Sequence, residues 1–223
     1  MALGARVPGS VVPGSVVPGS VVPGSVVPGS VQERLVAAAV HLFAEKGFDS
    51  TSVQEIVERA AVTKGAMYHY FRSKDDLLYE IYHGLISQQL ADLDRILGAG
   101  GTPGEVIRAV IVDLVETTTE RLAEAAVFAR EMHKLSAEPM AALKAQRRRY
   151  HEVFRDLVAR GQADGAFASV ASADTVTLIV FGIVNQLPRW YQPDGPKSPR
   201  QLADEIADFV LAGLAVPASY PAS

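Results

Sequence analysis

From Gln32 onward, apolar residues recur at intervals of three and four and never alternate cleanly with polar ones over a strand's length. That spacing stacks side chains on one face of a helix, whereas a half-buried strand needs a period of two. The chain beyond its first thirty or so residues is therefore read as all-α. A first helix over about 32–46 buries Leu35, Ala39, Leu42 and Phe43. Gly47 follows at the left-handed position that closes helices, with Phe48 placed for the accompanying apolar contact. Ser52 with Glu55 forms a capping box for a helix of about nine residues, faced by Val53, Ile56, Val57 and Ala60. Thr63 caps a second short helix, Lys64–Tyr70, and Ser73 with Asp76 caps a long one from Lys74 to about Leu97. Further helices are expected over about 104–121, 124–135, 139–163, 171–190 and 199–214, about nine in all.

Residues 7–31 stand apart, reading VPGSV five times in tandem. Each unit carries a Pro-Gly turn pair and only valine as apolar material, so it builds neither packed helix nor strand. The repeats resemble elastin-like sequence. Residues 1–31 are expected to be a disordered tail and 215–223 a flexible C-terminus.

The 223 residues contain no cysteine, which excludes disulfide scaffolds, thiolate zinc sites, iron–sulfur clusters and cysteine nucleophiles. The longest apolar stretch, Thr175 to Val184, is about half a membrane span, and no signal-peptide core opens the chain. A cytoplasmic protein with no membrane partner is expected. Glu80 and His83 are spaced like metal ligands on a helix, but no other histidine has a glutamate three residues before it. Neither a metal nor a cofactor is expected. The glycines of 98–104 follow no strand and are not a phosphate-binding loop. No Gly-x-Ser-x-Gly nucleophile turn is present.

Two short helices joined by Arg59-Ala-Ala-Val62 behind a longer one make a helix-turn-helix unit. The second presents Lys64, Gly65, Tyr68, His69 and Tyr70 outward, while Met67 and Phe71 point into the core. Such a face suits the major groove of double-stranded DNA: Gly65 admits close backbone approach and Lys64 reaches base acceptors or phosphate. Tyrosine hydroxyls and Lys74 are natural phosphate contacts. Between Gln32 and Leu78 there are six Lys/Arg against seven Asp/Glu, so a DNA-binding surface must come from segregation of charge.

Phe43-Ala-Glu-Lys-Gly-Phe48, Thr51-Ser-Val-Gln-Glu-Ile56, Val62-Thr-Lys-Gly-Ala-Met-Tyr-His-Tyr-Phe71 and Ser73-Lys-Asp-Asp-Leu-Leu78 resemble the DNA-binding domain of the TetR family of bacterial transcription regulators. The resemblance implies an N-terminal helix-turn-helix reader over 32–78 and a C-terminal helical domain over 79–214 for effector binding and dimerisation. It implies a homodimer paired through the last two helices, with Ser52, Thr63, Lys64, Gly65, Tyr68, His69 and Lys74 facing DNA. Two positions depart from the family pattern. Ala61 stands where glycine is usual in the turn, and the VPGSV repeats, with only Arg34 nearby, stand where a basic arm is common.

The expected activity is that of a ligand-responsive repressor on a palindromic operator, not an enzyme. Activation is the alternative sign, and an all-α ligand-binding protein or enzyme with an incidental helix-turn-helix is the alternative class. Leu114, Phe128, Phe154, Val180 and Trp190 are the candidate ligand contacts. Their character calls for an apolar or amphiphilic small-molecule effector. The segment Arg189-Trp-Tyr-Gln-Pro193 resembles one in TetR regulators that answer to acyl-CoA or lipid-derived effectors. Arg147-Arg148-Arg149 is read as a solvated face, with the grip of an anionic ligand as the alternative.

Overall fold

The computed structural model describes residues 29–216, so most of the expected repeat tail and C-terminus lies outside the described residues. Within them are nine α-helices and one 3-10 turn, with no strand. They are α1 (Val31–Lys46), α2 (Val53–Arg59), α3 (Lys64–Tyr70), α4 (Lys74–Ala99) and α5 (Pro103–Glu120). There follow α6 (Leu122–Glu131), the 3-10 turn Met132–Lys134, α7 (Ala137–Ala163), α8 (Ala173–Trp190) and α9 (Pro199–Leu214). No helix among the described residues is long and apolar enough to cross a membrane.

Local chemistry sets most boundaries. Ser30, Ser52, Thr102 and Ser198 each begin a helix with a reciprocal capping box, satisfying N–H groups that have no partner inside the helix. Thr63, Ser73 and Ser172 cap by accepting from the N–H three residues on. Two expectations need correction. The loop expected over 98–104 is only Gly100–Thr102: Gly98 continues α4, and Gly104 follows Pro103 into α5, where proline's fixed φ suits a first turn. The helix expected over 124–135 begins earlier and ends at Glu131, separated from α5 by Arg121 alone.

The core runs unbroken through both halves of the molecule. Helices α1 to α3 close over Leu35, Phe43, Ile56 and Met67, all inaccessible to solvent. The long α4 starts in that cluster with Leu77 and Leu78 and leaves it through Leu90 and Leu93, packing on α5 and α7. Helix α9 lies along α5, fastened outside by Arg108 to Asp204 and Asp208. On α9 the buried stripe is Leu202, Ala203, Ala207, Val210 and Leu214. Phe209, on the outer side of the same helix, is 72% exposed.

Candidate nucleic-acid interface and effector cavity

The turn between α2 and α3 is built by backbone hydrogen bonds. Val62 N donates to Val57 O at 3.0 Å and Ala61 N donates to Glu58 O at 3.1 Å, the paired closure of a Schellman motif. That motif puts Ala61 at φ 52°, the one non-glycine residue with positive φ among the described residues. The family's glycine would sit there without its Cβ crowding the carbonyl; alanine holds the same conformation under strain. Arg34 Nη1 reaches from α1 to the Ala60 carbonyl at 3.3 Å and pins the turn from behind.

Helix α3 presents one face to the core and one to solvent. Met67 is fully buried and Phe71 is 5% exposed, while Thr63, Lys64, Gly65, Tyr68, His69 and Tyr70 are exposed. Tyr68 stands 53% free, and His69 and Tyr70 meet edge to face at 5.0 Å. A Cβ built on Gly65 would meet only Thr63 Oγ1, at 3.8 Å, so nothing inside the protein requires glycine there. Thr63 Oγ1 accepts from Ala66 N at 3.1 Å and keeps its hydroxyl proton for an outside acceptor. Ser52 differs: its hydroxyl donates to Glu55 Oε2 at 2.8 Å, so its proton is already engaged.

Lys74 is also used within the domain. Its ammonium donates to Phe48 O at 2.6 Å and Thr51 O at 2.9 Å, and lies 4.2 Å from the Phe48 ring centroid. It ties the α1–α2 loop to α4. The structure thus brings Thr63, Lys64, Gly65, Tyr68 and His69 together on one exposed helix, with Ser52 and Lys74 holding the frame behind them.

Charge is segregated. Glu55 is held by Lys46 and by both Ser52 donors, which keep its carboxyl ionised with a pKa of about 2. Asp49 pairs with Lys134, which lowers its pKa. The Asp76 carboxylate accepts from Arg72 N at 2.8 Å. Lys64 and Arg72 remain exposed with no carboxylate partner among the described residues. The acids of this small domain are largely spoken for, and the cations beside α3 are free.

Between α4, α5, α6, α7 and α8 lies a cavity of about 270 Å³. Leu114 and Phe128 line it, together with Leu85, Ile86, Met132 and Val184. Phe154 and Val180 are fully buried behind the wall, and Trp190 is 49% exposed outside it. Side chains of equal hydropathy thus serve core, cavity or surface according to the neighbouring helix. The polar lining comprises Gln89, Thr118, Arg147, Tyr150, His151, Asn185 and Gln186. Arg147 corrects the solvated-face reading of its triplet. It follows Leu143 by four positions and precedes Tyr150 and Phe154 by three and seven, which puts it on the buried stripe of α7. That spacing was visible in the sequence, whereas the contributions of α4, α6 and α8 had no local signal.

Helix α6 joins the two regions. Ala125 and Phe128 face the cavity, with Met132 just past the helix end, while Arg130 caps α1 by donating to the Phe43 carbonyl and to Ala44 O at 3.2 Å. Glu131, 6% exposed, holds Arg130 Nε at 2.8 Å and accepts from Phe48 N at 3.4 Å. Tyr82 of α4 donates to Val127 O of α6 at 3.1 Å, and its ring meets Phe128 edge to face at 4.9 Å.

A helix-turn-helix with a free outer face, carried by a helical body with a cavity among its helices, defines a DNA-binding transcription regulator. Residues 35–81 match the model for bacterial regulatory proteins of the tetR family, and residues 100–214 match the tetracyclin repressor-like C-terminal domain. The chain belongs to the TetR family. It is similar to the HTH-type transcriptional repressor KstR2 of Mycolicibacterium smegmatis, 26% identical over 184 residues, covering 82% of this chain and 90% of the relative. The solved ketosteroid transcriptional regulator KstR2 of Mycobacterium tuberculosis shares the fold with a TM-score of 0.78 at 23% identity, covering 85% of this chain and 97% of that one. AibR in complex with isovaleryl coenzyme A and operator DNA shares it with a TM-score of 0.72 at 22% identity, covering 81% and 97%.

Proposed function

We propose that this chain is a repressor that binds a near-palindromic operator as a homodimer and leaves it when a small apolar or amphiphilic effector fills the cavity. In this reading residues 32–78 read DNA and residues 79–214 hold the effector and pair the subunits. The observation that carries it is the outer face of α3, where an exposed glycine without internal neighbours lies among Thr63, Lys64, Tyr68 and His69. Thr63 and Lys64 contact phosphate or base edges, Gly65 admits the backbone, and Tyr68 and His69 read the groove. Ser52 and Lys74 set the docking angle of α3. Leu178, Ile179 and Phe209 are exposed by 69%, 48% and 72% on α8 and α9, apolar surface suited to a subunit interface. A two-fold dimer would set its recognition helices about 34–36 Å apart, in successive major grooves.

An acyl-CoA or lipid-derived effector is favoured. The cavity wall is largely apolar, and similar folds include one named a ketosteroid transcriptional regulator and one bound to isovaleryl coenzyme A. The effector acts on α4 and α6 together, because Tyr82 and Phe128 join them at the cavity wall. Movement of α4 changes the spacing of the recognition helices, so one dimer no longer engages both half-sites. An effector that binds the released state a hundredfold more tightly supplies about 2.7 kcal/mol of coupling. The reading assigns no catalysis to the chain and places its work in the cytoplasm, with the operator.

The test is selection of genomic fragments by the purified protein at about 150 mM salt, with Tyr68→Ala in parallel. Enrichment of one palindromic site, lost in the variant, is expected. Equal, salt-sensitive retention of all fragments by both proteins would reduce the chain to a non-specific binder.

A further inference from the structure

Arg147-Arg148-Arg149 sets three guanidinium groups side by side in sequence, and the fold gives them different fates. Arg148 is exposed, and Arg149 Nη2 holds both oxygens of Asp94 at 2.9 and 3.0 Å. Arg147 turns inward to the cavity, its guanidinium 4.9 Å from the Phe128 ring centroid. Its one polar contact among the described residues is the Met132 sulfur, 3.9 Å from Nη1. No carboxylate pairs with it among the described residues, and no acidic side chain lines the cavity. His151, one turn along α7, stacks on Phe181 at 3.8 Å, and burial together with Arg147 disfavours its protonation.

A guanidinium cannot shed its proton to escape burial, as a lysine or histidine can. A largely desolvated arginine without a counter-ion is therefore a charge waiting for a partner. We propose that the partner is the effector itself. Its anionic group, a carboxylate or a phosphate, seats on the Arg147 guanidinium while its apolar body lies against Phe128, Leu114 and Val184. This rests on the effector reading of the cavity above and narrows it from apolar molecules to apolar anions. At about 270 Å³ the space falls just below the usual range for organic ligands, roughly 300–1,000 Å³. It suits a short apolar acid, or the acyl end of a larger molecule whose phosphates reach back to the arginine.

Calorimetric titration of the full chain with octanoate, methyl octanoate and octanoyl-CoA tests this, on the wild type and on Arg147→Gln. The wild type should bind at least one of the two anions on the order of tenfold to a hundredfold more tightly than the neutral ester. Arg147→Gln should lose that preference while keeping its affinity for the ester. Preference for octanoate identifies a carboxylate as the seated group, and preference for octanoyl-CoA alone identifies a phosphate. Thermal unfolding should find Arg147→Gln no less stable than the wild type, because it removes an uncompensated buried charge. Equal binding of ester and anions to the wild type overturns the anion proposal and leaves the effector cavity standing, as does a preference that survives in Arg147→Gln. Binding of none of the three overturns both.

Discussion

Replacing Gly65 by alanine should move stability and DNA binding in opposite directions. Gly65 lies in the first turn of α3, and its added Cβ would touch nothing in the protein closer than Thr63 Oγ1 at 3.8 Å. Alanine loses less backbone freedom on folding than glycine, so the variant should be more stable by roughly 0.5–1 kcal/mol. For a chain of this size that is a rise of about 1–4 °C in thermal midpoint. If α3 lies in the major groove, the same methyl group keeps its first turn away from the DNA. Lost contacts of about 1–3 kcal/mol weaken operator binding roughly tenfold to a hundredfold. Urea unfolding measures the first effect, and fluorescence anisotropy on an operator fragment at fixed salt measures the second. A stabilised variant with unchanged operator affinity would refute the placement of α3 against DNA. A destabilised variant would mean that Gly65 has an internal task.

Three further outcomes test the structure. Ala61→Gly should gain about 0.5–1 kcal/mol, since a left-handed L-residue costs about 1–2 kcal/mol and glycine's looser unfolded chain returns part of it; an unchanged urea midpoint would contradict the Schellman turn. Gly161→Ala should lose about 1–3 kcal/mol, because its Cβ would fall 2.2 Å from Phe167 Cδ2, and a thermal midpoint equal to the wild type's would show that this contact yields freely. Asp113 is pushed up from 3.8 to about 6, mainly by burial and then by Asp92, against the pull of Arg95. The folded state therefore holds that proton more tightly than the unfolded one, so ionised Asp113 costs stability above about pH 6 and the cost fades toward pH 4. Asp113→Asn should accordingly be more stable than the wild type at pH 7.5, by on the order of 1 kcal/mol once its partial exposure is discounted, with the gap narrowing as the pH falls from about 6 toward 4. Parallel urea midpoints across that range would sink the assignment.

The reader was legible because its determinants are local. Ser52 with Glu55, Thr63 with Ala66 and Ser73 with Asp76 each cap a helix within four residues of chain, and Met67 and Phe71 fall on the buried side by spacing alone. Spacing also separates Arg147 from Arg148 and Arg149, though a run of three arginines draws attention to its charge instead. Lys74 shows what a motif leaves out: its position on the chain suits phosphate, and its ammonium also gives two of its three N–H groups to the carbonyls of Phe48 and Thr51.

The sequence by itself determined the helices, most of their ends and the exposed face of α3, since caps and apolar periods act over a turn or two of backbone. Only the tertiary structure decided which apolar side chains enclose space and which fill it. Phe128 and Phe154 are alike in sequence terms, yet one faces the cavity and the other is sealed in the core. The difference comes from five helices brought together over long stretches of chain, and a void exists only where their side chains fail to meet. The same assembly places Arg130 and Glu131 against α1 and leaves Arg147 without a counter-ion, because desolvation and pairing depend on every neighbour in space.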